Sequence, residues 1–245
     1  MEWIPRLRLV SGLTMFTFVA THLLNHSLGL ISLETQEAGR LVFLNVWRSL
    51  PGATLLLSAA TVHLSLVLGR LVRRGTLRMP AWESTRLVLG LLTLFFVIFH
   101  GLETYGMNLR HGLQDTYYYV LLYIWPDAWW RQTILVAAAW THGCMGIHYW
   151  LRIRPWYRRS VPVLYALALM LPLLAWLGAW AGATEARALA AARTPTGGYS
   201  SSYGSAPGSG AGGDYGSGYG SVPGSGAGGD YGSGYGDSAK AAAEG

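Results

Sequence analysis

Five apolar runs, each near the roughly 20 residues needed to cross a bilayer, recur before residue 184. The first four of them carry a histidine in their interior. They are expected as helices over residues 5–33, 51–72, 84–105, 131–151 and 160–183, because a chain in hydrocarbon must satisfy its backbone hydrogen bonds within each segment. Charged residues make up 12% of the chain against 51% hydrophobic, too few to solvate a globular surface. The expected class is therefore an all-α integral membrane protein of five transmembrane helices. Helices I to IV form an up-down four-helix bundle, and a tail follows. Residues 1–24 have the composition of a secretory signal, but no small-residue cleavage site follows and the apolar run continues to Leu33, so a retained helix is expected.

Charge placement sets the expected orientation. Arg6 and Arg8 precede helix I; Arg70, Arg73, Arg74, Arg78 and Arg86 surround the II–III connection against the single acid Glu83; Arg152, Arg154, Arg158 and Arg159 follow helix IV. By the positive-inside rule these three clusters are cytoplasmic, and an odd number of crossings sends the C-terminal tail to the periplasmic side of a bacterial inner membrane. The net charge of +6 is thus a matter of topology, and no nucleic-acid partner is expected. The opposite side is expected to hold a short interfacial helix within residues 34–50 and an aromatic belt from Tyr117 to Trp130. Pro172 is expected to kink helix V, and Ser84 to cap helix III. His111 is expected in a solvated loop. One cysteine, Cys144, excludes an internal disulfide; without Cys-x-x-Cys-His there is no covalent haem attachment. After Ala183 the composition changes to a Gly/Ser/Tyr repeat, from Gly204 and again from Gly220, that lacks the apolar surface to offset its ordering entropy. The division expected is residues 1–190 as the membrane bundle and 191–245 as a disordered tail.

Ionisable residues within membrane helices are expensive and mark function by default. At 1.5 Å per residue, His22 and His100 lie about 25 and about 24 Å from the cytoplasmic starts of helices I and III, while His63 and His142 each lie about 17 Å from the other surface. Diagonal helices of an up-down bundle run parallel, so each matched pair can meet across the interior. Two facing imidazoles at one depth are the requirement for axial coordination of a b-type haem, and two pairs imply two haems. A lone membrane histidine, by contrast, often only bridges helices. His26, one turn from His22 on the same face, competes with it. Gly146 shares a face with His142, Ala138 and Ala139, a small-residue surface that a flat cofactor can approach. Arg70 and Arg152 are placed to neutralise haem propionates, or serve topology alone. His148, near the cytoplasmic interface, is placed for a propionate or a lipid headgroup.

The motifs Ser11-Gly12 with His22, His63 with Gly69-Arg70, Phe95-Phe96 with His100, and His142-Gly143-x-x-Gly146-Ile147 resemble the dihaem cytochrome b membrane subunit of succinate dehydrogenases and fumarate reductases. That resemblance implies His22, His63, His100 and His142 as the iron ligands and selects His22 over His26. Thr21-His22-Leu23-Leu24-Asn25-His26, the run Arg73 to Pro80, and His142-Gly143-Cys144 through Arg154-Pro155-Trp156-Tyr157 look closer to the haem-containing membrane anchor of some bacterial class III adenylate cyclases, over about residues 1–190. It implies electron exchange with the quinone pool and a redox-responsive anchor. The partners implied are membrane lipids, quinone, a soluble cyclase, ferredoxin-like protein or flavoprotein, and a second copy of the chain. The chain departs from those anchors in having the repeat where they have a sixth helix, and no cyclase, flavin or iron–sulfur motif is present. No cyclase or dehydrogenase catalytic domain is expected in the chain, and a role as an electron-transfer subunit is left open. The alternatives are an electron-transfer subunit of a complex II-like quinone oxidoreductase and a haem-free structural anchor.

Overall fold

The computed structural model describes residues 3–76, 78–112 and 115–193. The described residues are helical, without strands. Helix α1 spans Trp3–Ser27 and ends in a 3₁₀ turn at Leu28–Leu30; α2 is Leu33–Trp47, α3 Leu50–Arg74, α4 Ala81–Gly101, α5 Met107–His111, α6 Tyr117–Ile124, α7 Trp129–Leu151 and α8 Tyr157–Arg193. A π-helical turn, Leu102–Gly106, joins α4 to α5. The expected tail falls outside the described residues except for 191–193, which continue α8.

Four segments are long and apolar enough to span a membrane: Trp3–Leu30, Leu50–Arg74, Ala81–Gly106 and Tyr157–Arg193. Their outward faces carry large apolar side chains in the open, among them Leu57, Val72, Phe95, Ile98 and Leu169. This is the reverse of a water-soluble bundle. Helix α7 has the length, 23 residues, but Gln132, Thr133, Thr141, His142 and His148 dilute its hydropathy, and it is not among the four.

Local chemistry explains most of the boundaries. Thr14, Thr17 and Thr21 each return their hydroxyl proton to the carbonyl one turn back, at 3.0, 2.9 and 2.9 Å, which spares an apolar helix any unpaired side-chain donor. Ser49 caps α3 by accepting the Gly52 N–H at 3.2 Å, and Gly75 closes it at φ 65°, the left-handed region open to glycine. Helix α2 forms where an interfacial helix is expected, capped by Ser32, with the Leu33 N–H donating to Glu185 of α8 at 2.7 Å. Three expectations change. Helix α4 starts at Ala81, with Pro80 as the capping residue, so Ser84 lies inside the first turn. The backbone of His111 closes α5 rather than lying in a loop. Helix α8 runs on to Arg193 rather than ending near residue 183, because the run from Glu185 to Arg193 is made of strong helix formers. Pro172 sits within it, and the carbonyl of Ala168 that proline leaves without a helical partner accepts the indole N–H of Trp140 at 2.7 Å.

Helix α1 packs along α3, and α4 along α7, while α8 lies against α1 and α6. No comparable backbone approach joins α1 to α4 or α3 to α7. The seam to α8 is built of small residues: Ala175, Gly178, Ala179, Gly182, Ala183 and Ala186 are buried. A Cβ at Gly178 would stand 2.2 Å from the carbonyl oxygen of His26, and one at Gly29 2.2 Å from that of Gly178, so backbones touch there as small-residue membrane contacts allow.

Candidate cofactor site

Across the diagonals α1 to α4 and α3 to α7, side chains meet where the backbones do not. The rings of His63 and His142 approach to 6.4 Å between centroids, and those of His22 and His100 to 6.0 Å. The diagonal pairing expected of an up-down bundle is therefore present as geometry. Two imidazoles bound end-on to one metal at about 2 Å each bring their centroids to about 6 Å.

Hydrogen bonds dictate which ring nitrogen is left over. The carbonyl of Arg86 can only accept, so the proton of His142 lies on Nδ1, 3.0 Å away, and its Nε2 keeps the lone pair. At His63, Nδ1 lies 3.3 Å from the Ser11 hydroxyl, which donates its own proton to the Arg8 carbonyl at 3.1 Å; Nδ1–H must then be the donor to Ser11. His100 Nδ1 donates to Gln132 Oε1 at 2.8 Å. Three of the four rings thus have Nδ1 occupied and Nε2 available, the arrangement that orients a metal-binding histidine. His22 differs: its Nδ1 has no partner, and its Nε2 lies 3.2 Å from Nε2 of His26.

Glycines and aromatics shape the two levels. A Cβ at Gly12 would stand 3.3 Å from Cε1 of His63, and one at Gly90 3.0 Å from Cε1 of His142, so each ring lies against the bare backbone of the helix beside it. A Cβ at Gly146 would meet nothing within 4 Å, so that face of α7 is open. At the other level Phe18 stacks on His22 at 5.9 Å and Phe43 lies 5.2 Å from it, with Trp47 bonded through Nε1 to Thr21 at 3.2 Å. All four rings are half-buried, and α4 has no fully buried residue on any face. These are the openings a flat ligand between the helix pairs requires.

The remaining expected residues take separate positions. His26 packs edge-on to His22 at 4.6 Å and to Tyr117 at 5.4 Å. Beyond it Asn25 donates to the Tyr117 hydroxyl at 2.8 Å, and Tyr117 N–H donates to Glu37 at 3.0 Å. Burial pushes the Tyr117 phenol up, so it stays protonated. Glu37 pairs with Arg40, and Asp115 with Arg48 at 2.5 Å, which neutralises the link within itself and its neighbour. Arg70 is 59% exposed and paired with Glu83 at 3.5 Å. Arg152 lies over the Tyr149 ring at 4.6 Å. His148 is engaged by the Tyr157 hydroxyl at 2.7 Å, a bridge from α7 to α8. Sequence reasoning missed Gln132, the Arg86 carbonyl and Gly90. An intramembrane glutamine was itself a signal; the other two carry none.

Among the described residues no three His, Cys, Asp or Glu side chains gather into a metal-binding group; the imidazoles come in facing pairs. Comparison with protein families, with curated proteins and with solved structures finds no match to this chain.

Proposed function

We propose that the chain is a membrane-embedded dihaem b-type cytochrome module of the cyclase-anchor type, which exchanges electrons with the quinone pool and conveys redox state to a soluble partner. The observation that carries this reading is the pair of imidazole contacts at 6.0 and 6.4 Å. Each pair offers two ligands and no more, so the metal that suits it brings its other four donors with it, as iron in a porphyrin does. When bound, haem b would supply a one-electron couple.

The chain's own residues do the rest. His22 with His100, and His63 with His142, would supply the imidazole ligands to iron, the last three through Nε2. Ser11, Gln132 and the Arg86 carbonyl hold the Nδ1 protons and so keep the lone pairs turned to the metal. Phe18, Phe43 and the apolar helices exclude water from the level of His22. In this reading α7 is the fifth crossing, shielded from lipid by α4 and α8, which is why it tolerates lower hydropathy. The arginine clusters then face the cytoplasm. Dithionite-reduced minus oxidised spectra of the purified protein test the proposal: a b-type α-band with two haems per chain is expected. Its absence from protein produced with haem supplied would leave the haem-free anchor as the reading.

A further inference from the structure

The level of His63 and His142 is bordered by more positive charge than the one nearby acid, Glu83, can balance. Arg8 and Arg86 are both half-buried, on α1 and α4. The charges acting on Arg8 are those of Arg70 and Arg86, and both Arg8 and Arg86 act on His63. Arg70 and Arg74 share the one carboxylate of the connection, Glu83. Arg8 has no ion-pair partner among the described residues. Arg86 lies over the faces of Tyr149 and Trp82, at 5.5 and 5.9 Å, and its Nε is buried without a hydrogen-bond partner.

Topology alone does not explain this placement. Arginines that only orient a helix extend into the headgroups, where water and lipid phosphate screen them. Arg8 and Arg86 instead belong to the two backbone turns that fix the imidazoles. The Arg8 carbonyl receives the Ser11 proton behind His63, and the Arg86 carbonyl receives the Nδ1 proton of His142. Two like charges held on facing helices at reduced dielectric repel one another, and an anion between them turns that repulsion into attraction. Guanidinium is the group suited to carboxylates, which it binds in a bidentate fork.

We propose that Arg8 and Arg86 form a clamp for the carboxylates of a tetrapyrrole lodged between His63 and His142, in place of Arg70. The inference rests on the dihaem reading. It makes the two levels unequal: the one at His63 and His142 has a cationic rim, whereas the acids and arginines beyond His22 and His100 neutralise each other.

The test uses the full chain purified in detergent, with haem per protein and the midpoint potential of each component measured. The component belonging to this level is the one missing from His63→Ala. Arg8→Gln and Arg86→Gln singly should lower the potential of that component alone, because a nearby positive charge favours the reduced state. The double variant should fall from two haems per chain to one, and Arg8→Lys with Arg86→Lys should recover the second. Arg73→Gln, which removes an equal charge from the same side, should change neither reading. The clamp is overturned if the double Gln variant keeps two haems at unaltered potentials, if both components shift together, or if Arg73→Gln has the same effect. A wild-type chain with no haem would instead overturn the dihaem reading itself.

Discussion

The seam between α1 and α8 and the interval between α1/α3 and α4/α7 use the same residue, glycine, to opposite ends. At the seam Gly29 and Gly178 bring two backbones into direct contact, and any side chain would collide with a carbonyl oxygen at 2.2 Å. In the interval Gly12 and Gly90 make room for an imidazole ring, and the diagonal backbones, α1 from α4 and α3 from α7, stay apart. Closeness of backbone gives van der Waals contact, the main attraction left to helices dissolved in lipid. Distance of backbone gives space for a ligand. The difference teaches that the fold is held on one side so that it can remain open on the other.

Substitutions can break that contrast, and the largest effects belong to the open side. His100→Ala or His63→Ala should each remove one haem of two while the helical content measured by circular dichroism is unchanged; loss of neither would refute the pairing. On the closed side, Gly178→Ala should lower the unfolding free energy in detergent by about 1–3 kcal/mol, the cost of overpacking a filled contact. An unchanged unfolding midpoint would show the seam to be dispensable. Gln132→Leu removes the acceptor that holds Nδ1–H of His100, and haem affinity at that level should fall about 10–100-fold, as for other residues that orient a ligand. Haem titration of the apoprotein reads this, and the level of His63 should not respond. Smallest is Trp140→Phe. It keeps the ring stacked on Phe16 but leaves the Ala168 carbonyl beside Pro172 without its donor, at a cost of about 1 kcal/mol, visible as a small drop in thermal stability.

The helical membrane class was legible in the chain because hydropathy is a property of consecutive residues, and four of the expected crossings meet that measure in the structure. Helix α7 shows the limit of the same signal: the polar residues that face its partners lower the average by which a crossing is recognised. The four histidines were legible too, since helical rise converts sequence spacing into depth. Which of two neighbouring imidazoles meets a third was left open by spacing and selected by the resemblance alone. His22 and His26 share one face of α1, and only the packing of the helices sets His22 within ring contact of His100 and turns His26 toward Tyr117.

By itself, then, the sequence determined that the chain forms apolar helices, that imidazoles stand inside them at two depths, and that arginines gather near particular helix ends. Each of these follows from composition and period within one segment. The tertiary structure alone decided that the Arg86 carbonyl, 56 residues from His142, holds that ring's proton, and that Glu185 caps a helix 152 residues earlier in the chain. It also decided that α8 supplies the small-residue seam. Contacts of that kind arise from the meeting of separate elements, and no local pattern of residues encodes which backbone group will stand opposite which side chain.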